Sequence, residues 1–266
     1  MCSEFNIDDK WLKKLDRATE RLLDRTGIDR KTFDRVFDNP TLLNLGKLIS
    51  DRVIDIIDFP ISSGKEAYIF RGVTPEKKFI AVKIYRTSTM IFNRISEYII
   101  GDPRFKSLMK NRREIIFEWV KKEYKNLELL KSINIRAPTP IKRIDNILVM
   151  GYIGDAYKPA SMLKDTPIKE PRKIFETLII YVGSMYKAGL VHADLSEYNV
   201  LIYRQRPYLI DLGQGVMLEH PRSQEFLRRD ISNIVRYFKR YDIDADTDEI
   251  FNRIIKKKSE KGYEIS

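Results

Sequence analysis

Between residues 51 and 150, outside a helical stripe at 113–131, the strand-like stretches tend to place apolar residues at every second position. Beyond 157 they recur every three or four. The first spacing is that of strands and the second that of helices, so the chain is expected to fold as α+β, with a strand-rich part before a helix-rich one. "YIFRGV" (68–73) is strand-like, and "FIAVKIYR" (79–86) puts Ile80, Val82 and Ile84 on one face. Strands are also expected at 140–144 and 146–150, joined at Asp145-Asn146, and a strong helix at 113–131. Before the strands lies a helical lead-in (1–50). It is expected to hold helices at 8–26, at 31–37 (stopped by Asn39-Pro40) and at about 41–51. "GYIGDAY" (151–157) looks like a hinge. After it, 171–188 is apolar nearly all round, which predicts a buried helix ended by Gly189. A strand and turn at "RPYLIDLGQGV" and helices at 222–241 and 247–258 follow.

The 266 residues suffice for one large domain or two small ones sharing a cleft, and 43 % are hydrophobic, enough for a real core. Cys2 is the only cysteine and His192 and His220 the only histidines, which argues against disulfides and against zinc sites. With no apolar run of membrane length and no signal peptide, a soluble, cytoplasmic chain without membrane contact is expected. The net charge of +11 fits either simple solubility or an anionic partner. It is concentrated at "KSLMKNRR" (106–113), "FLRR" (226–229) and "RIIKKKSEK" (253–261).

Several ionisable residues stand where apolar ones belong. In helix 113–131, Ile116, Trp119, Val120, Leu127 and Leu130 form one stripe, and Glu123 falls in its middle. A buried carboxylate needs a cationic partner, and Lys83, inside the apolar strand "AVKIY", is the natural one. Lys83 lies on the opposite face from Val82 and Ile84, so an outward-facing lysine is equally consistent with the spacing. Asp230 shares a helical face with Phe226, Ile231 and Ile234, where it is expected to accept hydrogen bonds from a nearby backbone loop.

"VHADLSEYNVL" (191–201) frames Asp194, Glu197 and Asn199 between two apolar stubs. It reads either as an ordinary polar turn or as a phosphoryl-transfer loop, H-x-D-x-x-x-x-N, with Asp194 five positions before Asn199. Asp211 follows at a strand end with Gly213 two residues on, as in D-F-G. "SSGKEA" between strands, Lys83, Glu123, the 192–199 loop and "LIDLG" are individually weak signals. Together, in this order and at these separations, they favour the phosphoryl-transfer reading.

"SSGKEAYIF", "AVKIYR", "LVHADLSEYNVL" and "IDLGQGV" resemble the RIO family of atypical serine/threonine protein kinases over about residues 40–242. "HADLSEYN" and "DLGQGV…EHP" are similar to its first subfamily, in archaeal flavour. The resemblance implies a two-lobed protein-kinase-like fold: an N-lobe over 51–150 with a flexible insertion at 86–113, a hinge at 151–157 and a reduced helical C-lobe over 158–266. It implies ATP binding by Ser62, Ser63 and Lys65 in place of a Gly-rich loop. Lys83 would meet the phosphates and pair with Glu123, Met150 would lie behind the adenine, and the backbone of Gly151 and Ile153 would bond its edge. Asp194 would be the catalytic aspartate, with Asn199 and Asp211 holding Mg2+ or Mn2+.

Pro221 follows Gly213 by eight positions, which leaves no room for an activation loop or an A-P-E segment. Ala193 stands where an arginine would read a phosphorylated loop. The family resemblance further implies ATP turnover in small ribosomal subunit maturation, with pre-ribosomal RNA and protein as partners. It also implies autophosphorylation, with Ser88, Ser96 and Ser107 as candidates, and an acyl-phosphate at Asp211; apart from the resemblance, a monomer is expected. Two other readings stay open at this point: a small-molecule kinase of the aminoglycoside or choline type, and a ribosomal scaffold that binds ATP without turning it over.

Overall fold

The computed structural model describes residues 37–64, 66–86, 98 and 112–259. The expected helix 8–26, most of helix 31–37, most of the insertion 86–113, Lys65 and the candidate serines 88, 96 and 107 lie outside them. The chain divides into two compact units, 1–88 with 141–152, and 89–140 with 153–266.

The first unit opens with helix α1 (Asn39–Ser50). Asp38 caps it by accepting from the Thr41 N–H at 3.0 Å, and Pro40 sits in its first turn. Proline is well suited there because the first N–H groups of a helix have no partner within it. Asn39-Pro40 therefore starts this helix, and the helix expected at about 41–51 begins two residues earlier. A five-stranded sheet follows, in the order β1 (Ile56–Ser63), β2 (Ala67–Val73), β3 (Phe79–Tyr85), β5 (Ile147–Gly151), β4 (Pro140–Ile144). Leu45 and Leu48 of α1 share one core with Phe70, Ile80, Val82, Ile84, Ile147 and Val149. The β4–β5 turn, where Asp145 takes φ 45°, is tied to α1 by side chains. The Asn146 amide donates to Thr41 Oγ1 at 3.0 Å and to the Tyr85 carbonyl at 2.9 Å, and the Asn44 amide donates to Asp145.

The second unit contains helix α2 (Arg112–Ser132), then β6 (Ser161–Met162), α3 (Pro171–Lys187), β7 (Leu190–Val191), the hairpin β8 (Val200–Tyr203) and β9 (Arg206–Leu209), β10 (Val216–Met217), α4 (Ser223–Phe238) and α5 (Thr247–Ser259). β7 pairs with β10, so the segments on either side of the hairpin are brought back together. Helix α3 is not apolar on every side. Ile174, Leu178, Val182 and Met185 are buried, while Arg172, Lys173, Glu176, Lys187 and even Ile180 face solvent. Gly189, at φ 92°, ends it as expected. Among the described residues no helix is long and apolar enough to cross a membrane.

Candidate active site

In the first unit, strand register lines up three of the expected residues on one face. Ser62 pairs with Ile69, Ile69 with Lys83, and Lys83 with Leu148, so these four form a row across the sheet. Cross-strand partners point to the same side. Ala81 pairs with Met150, two positions along, which puts Met150 on this face too. The α1 core uses the other face. Lys83 is nevertheless only 5 % exposed, which removes the outward-lysine reading. The ammonium lies 4.9 Å from the centre of the Tyr85 ring, a favourable place for a desolvated cation. Ser63 ends β1, and the turn beyond it is closed by the Gly64 N–H donating to the Ala67 carbonyl at 3.0 Å.

In the second unit, α2 buries the expected stripe of Ile116, Trp119, Val120, Leu127 and Leu130, and Glu123 with it at 1 % exposure. The remaining charged residues of this helix lie off that stripe, but not all of them reach solvent. Lys122 is instead buried, its ammonium 4.4 Å from the centre of the Trp119 ring. Asn126 is also buried, one turn beyond Glu123, and was not singled out. A lone amide on an apolar stripe, three residues from a suspect carboxylate, was the signal available for it.

The 192–199 loop is irregular backbone held from behind by α4. The carboxylate of Asp230 accepts from the Ala193 N–H and from the Leu195 N–H, both at 2.8 Å, the structural role expected of it. Arg229 donates to the Ala193 carbonyl, and the Asn233 amide to that of Leu195 at 3.0 Å. These four contacts hold Ala193 in the left-handed region at φ 66°, where a side chain is strained without such support. Arg229 therefore faces inward, and Arg228 forms an ion pair with Asp248. The basic stretch 226–229 is in this way partly consumed within the fold and offers an anionic partner less than its sequence implied.

Asn199 donates through its amide nitrogen to the Asp194 carbonyl at 2.7 Å and to the Asp194 carboxylate at 2.9 Å. Its backbone carbonyl accepts from the Ile210 N–H at 3.0 Å, next to Asp211. Burial, reinforced by the negative charge of Asp211, pushes the Asp194 carboxyl up from its ordinary value, while Asn199 and Arg229 oppose the shift. Burial, with a smaller contribution from the negative charge of Asp194, pushes Asp230 up to about 7, against its two N–H donors and Arg229. His192 is fully buried and bonds through Nε2 to the Ile210 carbonyl at 3.1 Å. Burial lowers it to about 4, so near neutral pH it is the uncharged tautomer, donating from Nε2.

Asp211 itself is left-handed, φ 60° and ψ 59°, at the entrance to a single 3-10 turn over Leu212–Gln214. Among the described residues no group of three His, Cys, Asp or Glu side chains is placed to hold a metal ion. The oxygens present still suit one. With its nitrogen engaged by Asp194, Asn199 keeps its amide oxygen for a cation, and Asp211 supplies a carboxylate. Mg2+ commonly takes one or two protein oxygens and completes its shell with phosphate and water. The mutual repulsion of Asp194 and Asp211 is what such a cation would relieve. Chemically, then, the loop brings together a carboxylate of raised proton affinity, a second carboxylate and a neutral oxygen donor.

Residues 68–250 match the RIO domain family. The RIO-type serine/threonine-protein kinase Rio1 of Haloferax volcanii is 35 % identical over 97 % of this chain and 91 % of its own length. That of Thermoplasma acidophilum is 46 % identical over 71 % of this chain and all of its own. A crystal structure of a Rio2 kinase–ADP/Mg2+–phosphoaspartate complex from Chaetomium thermophilum shares the fold with a TM-score of 0.62 at 20 % identity, covering 79 % of this chain and 65 % of that one. The expected two-lobed kinase-like α+β fold is thus the fold this chain has. The chain belongs to the RIO family and is an atypical serine/threonine protein kinase.

Proposed function

We propose that the protein transfers the γ-phosphoryl group of ATP in a metal-dependent reaction, autophosphorylating and hydrolysing ATP in the course of small ribosomal subunit maturation. The observation that carries this reading is the Asp194–Asn199–Asp211 arrangement: a carboxylate pushed toward base strength, tied to an amide whose oxygen is left for a cation, beside a second carboxylate. In this reading 51–150 works as the N-lobe, 151–157 as the hinge and 158–266 as the C-lobe. Ser62, Ser63 and Lys65 hold phosphate oxygens, and Lys83, oriented by Glu123, meets the phosphates. Met150 backs the adenine, and its edge is bonded by the backbone of Gly151 and Ile153. The Ile153 carbonyl already accepts from the Ala160 N–H at 2.9 Å, so its own N–H is the group suited to a ring nitrogen.

Mg2+ or Mn2+ held by Asn199 and Asp211 would neutralise charge on the phosphates. Asp194 would take the proton of the attacking hydroxyl or water as the bond to phosphorus forms. For an acyl-phosphate, an Asp211 oxygen attacks the γ-phosphorus, the bond to the β-phosphate oxygen breaks and ADP leaves. Water then attacks the phosphorus, releasing inorganic phosphate and the free carboxylate. The Rio2 complex contains ADP, Mg2+ and phosphoaspartate, which supports this route. The net charge of +11 supports a ribonucleoprotein partner, and the reading includes a cytoplasmic monomer.

The test is incubation of purified protein with Mg2+ and γ-labelled ATP, followed by hydroxylamine. Label released by hydroxylamine and absent from Asp211→Ala is the outcome expected for the acyl-phosphate. Resistant label lost in Asp194→Ala would assign the protein serine or threonine autophosphorylation instead. Neither label nor ADP would overturn the catalytic reading and leave a nucleotide-binding scaffold.

A further inference from the structure

Asp211 is a non-glycine residue in left-handed backbone, and the carbonyls on both sides of it are held by buried side chains. His192 bonds the Ile210 carbonyl before it. After it, the Asn126 amide donates to the Leu212 carbonyl at 2.8 Å and reaches the Gly215 carbonyl at 3.4 Å. Asn126 is 2 % exposed and both of these bonds go to the one turn that carries Asp211. The space for the amide exists because residue 215 is glycine. A Cβ there would stand 2.9 Å from the Asn126 nitrogen and 3.2 Å from the Leu212 carbonyl oxygen. A buried amide inside a helix stripe is costly unless its hydrogen bonds are met, and these are met by this turn.

We propose that Asn126 is a positioning residue for Asp211: a strut from α2 that sets the direction of the Asp211 carboxylate and so the affinity of the site for a divalent cation. The inference rests on the role assigned to Asp211 above and extends it. Glu123 and Asn126 are three residues apart and share one face of α2. The helix thus ties the carboxylate proposed to orient Lys83 to the turn that carries Asp211, and any movement of α2 is passed to that turn through a 2.8 Å bond.

The test uses the full chain with ADP and Mn2+, following free Mn2+ by electron paramagnetic resonance, alongside ADP binding without metal and circular dichroism. Asn126→Leu keeps the approximate volume and removes the donor. The expected result is Mn2+ binding weakened at least about 10-fold, the usual scale for loss of a group that orients a metal ligand, with metal-free ADP binding and the far-ultraviolet spectrum unchanged. Gly215→Ala crowds the same bond from the other side and is expected to weaken Mn2+ binding in the same direction, which keeps the test decisive if Asn126→Leu does not fold. Mn2+ affinity within twofold of wild type in a folded variant would overturn the inference while leaving the phosphoryl-transfer reading intact. A wild-type chain that neither binds Mn2+ with ADP nor becomes labelled would overturn both.

Discussion

Lys83 and Asp211 are held in their units by different means. Lys83 stands in a continuous strand with register partners on either side, Ile69 and Leu148. Its direction follows from the pleat, and no special side chain is needed to keep the backbone regular. Asp194 and Asp211 stand in backbone that belongs to no ladder, next to or at residues with φ near 60°. There the hydrogen bonds a sheet would supply come from Asp230, Arg229, Asn233, Asn199, His192 and Asn126 instead. A strand positions a reactive side chain through repetition. An irregular loop does so only with a buried polar frame, and every member of that frame becomes a point of failure.

The largest expected effect separates the reactive group from its frame. Asp194→Asn should lower phosphoryl transfer by about 10³-fold and leave the melting temperature nearly unchanged, because the Ala193 and Leu195 N–H groups remain held by Asp230. Activity close to wild type in steady-state ADP release would contradict the role given to Asp194.

Next comes the frame itself. Asp230→Ala leaves two buried N–H groups unmet and should cost about 3 kcal/mol in urea unfolding. Asn146→Ala removes two hydrogen bonds beside the regular sheet of the first unit, where the ladder remains, and should cost about 1–2 kcal/mol. Equal losses would break the distinction between the two regions.

The pH dependence sharpens it further. An unfolded chain protonates His192 near 6.5 and the folded one only near 4. Between those values the unfolded state binds more protons, and this residue makes stability fall as the pH drops. Asp230 works in the opposite sense. Folded, it keeps its proton up to about 7, against 3.8 when unfolded, so its contribution falls as the pH rises through that window. The two oppose each other between about pH 4 and 6.5. His192→Gln should therefore become less stable with rising pH there, and Asp230→Asn more stable. Thermal melts of both variants showing the wild-type pH profile would refute these assignments.

The smallest effect concerns the β8–β9 hairpin, whose turn residues Arg204 and Gln205 both have positive φ, 51° and 56°. Arg204→Asn should stabilise by about 0.5 kcal/mol, since asparagine tolerates this conformation best after glycine. A lower melting temperature would argue against the turn geometry.

Much of the fold was legible because it is written in short-range periodicity. The strands at 79–85 and 147–151, the α2 stripe and the glycine stop at 189 follow from spacing and local sterics. So does the conflict at Glu123, since a carboxylate on an apolar face is visible without coordinates. What was missed has a common cause. The burial of Lys122 and Asn126, the inward course of Arg229 and the exposure of Ile180 depend on which elements pack beside a helix, and the periodicity of one helix cannot report that. Helix α1, expected at about 41–51, opens two residues earlier, at Asn39, because proline suits the first turn of a helix.

The sequence by itself determined the order of the elements, the family and the residue types that phosphoryl transfer requires, because these depend on neighbours in the chain and on side-chain chemistry. Only the tertiary structure decided how Asp211, and Ala193 beside Asp194, are held in strained backbone. The groups that hold the residues on either side of Asp194 come from α4, more than thirty positions further along. Those that hold Asp211 come from His192, nearly twenty positions before it, and from α2, more than eighty positions before it. Hydrogen bonds between residues so far apart exist only once packing has removed the water that would otherwise satisfy them.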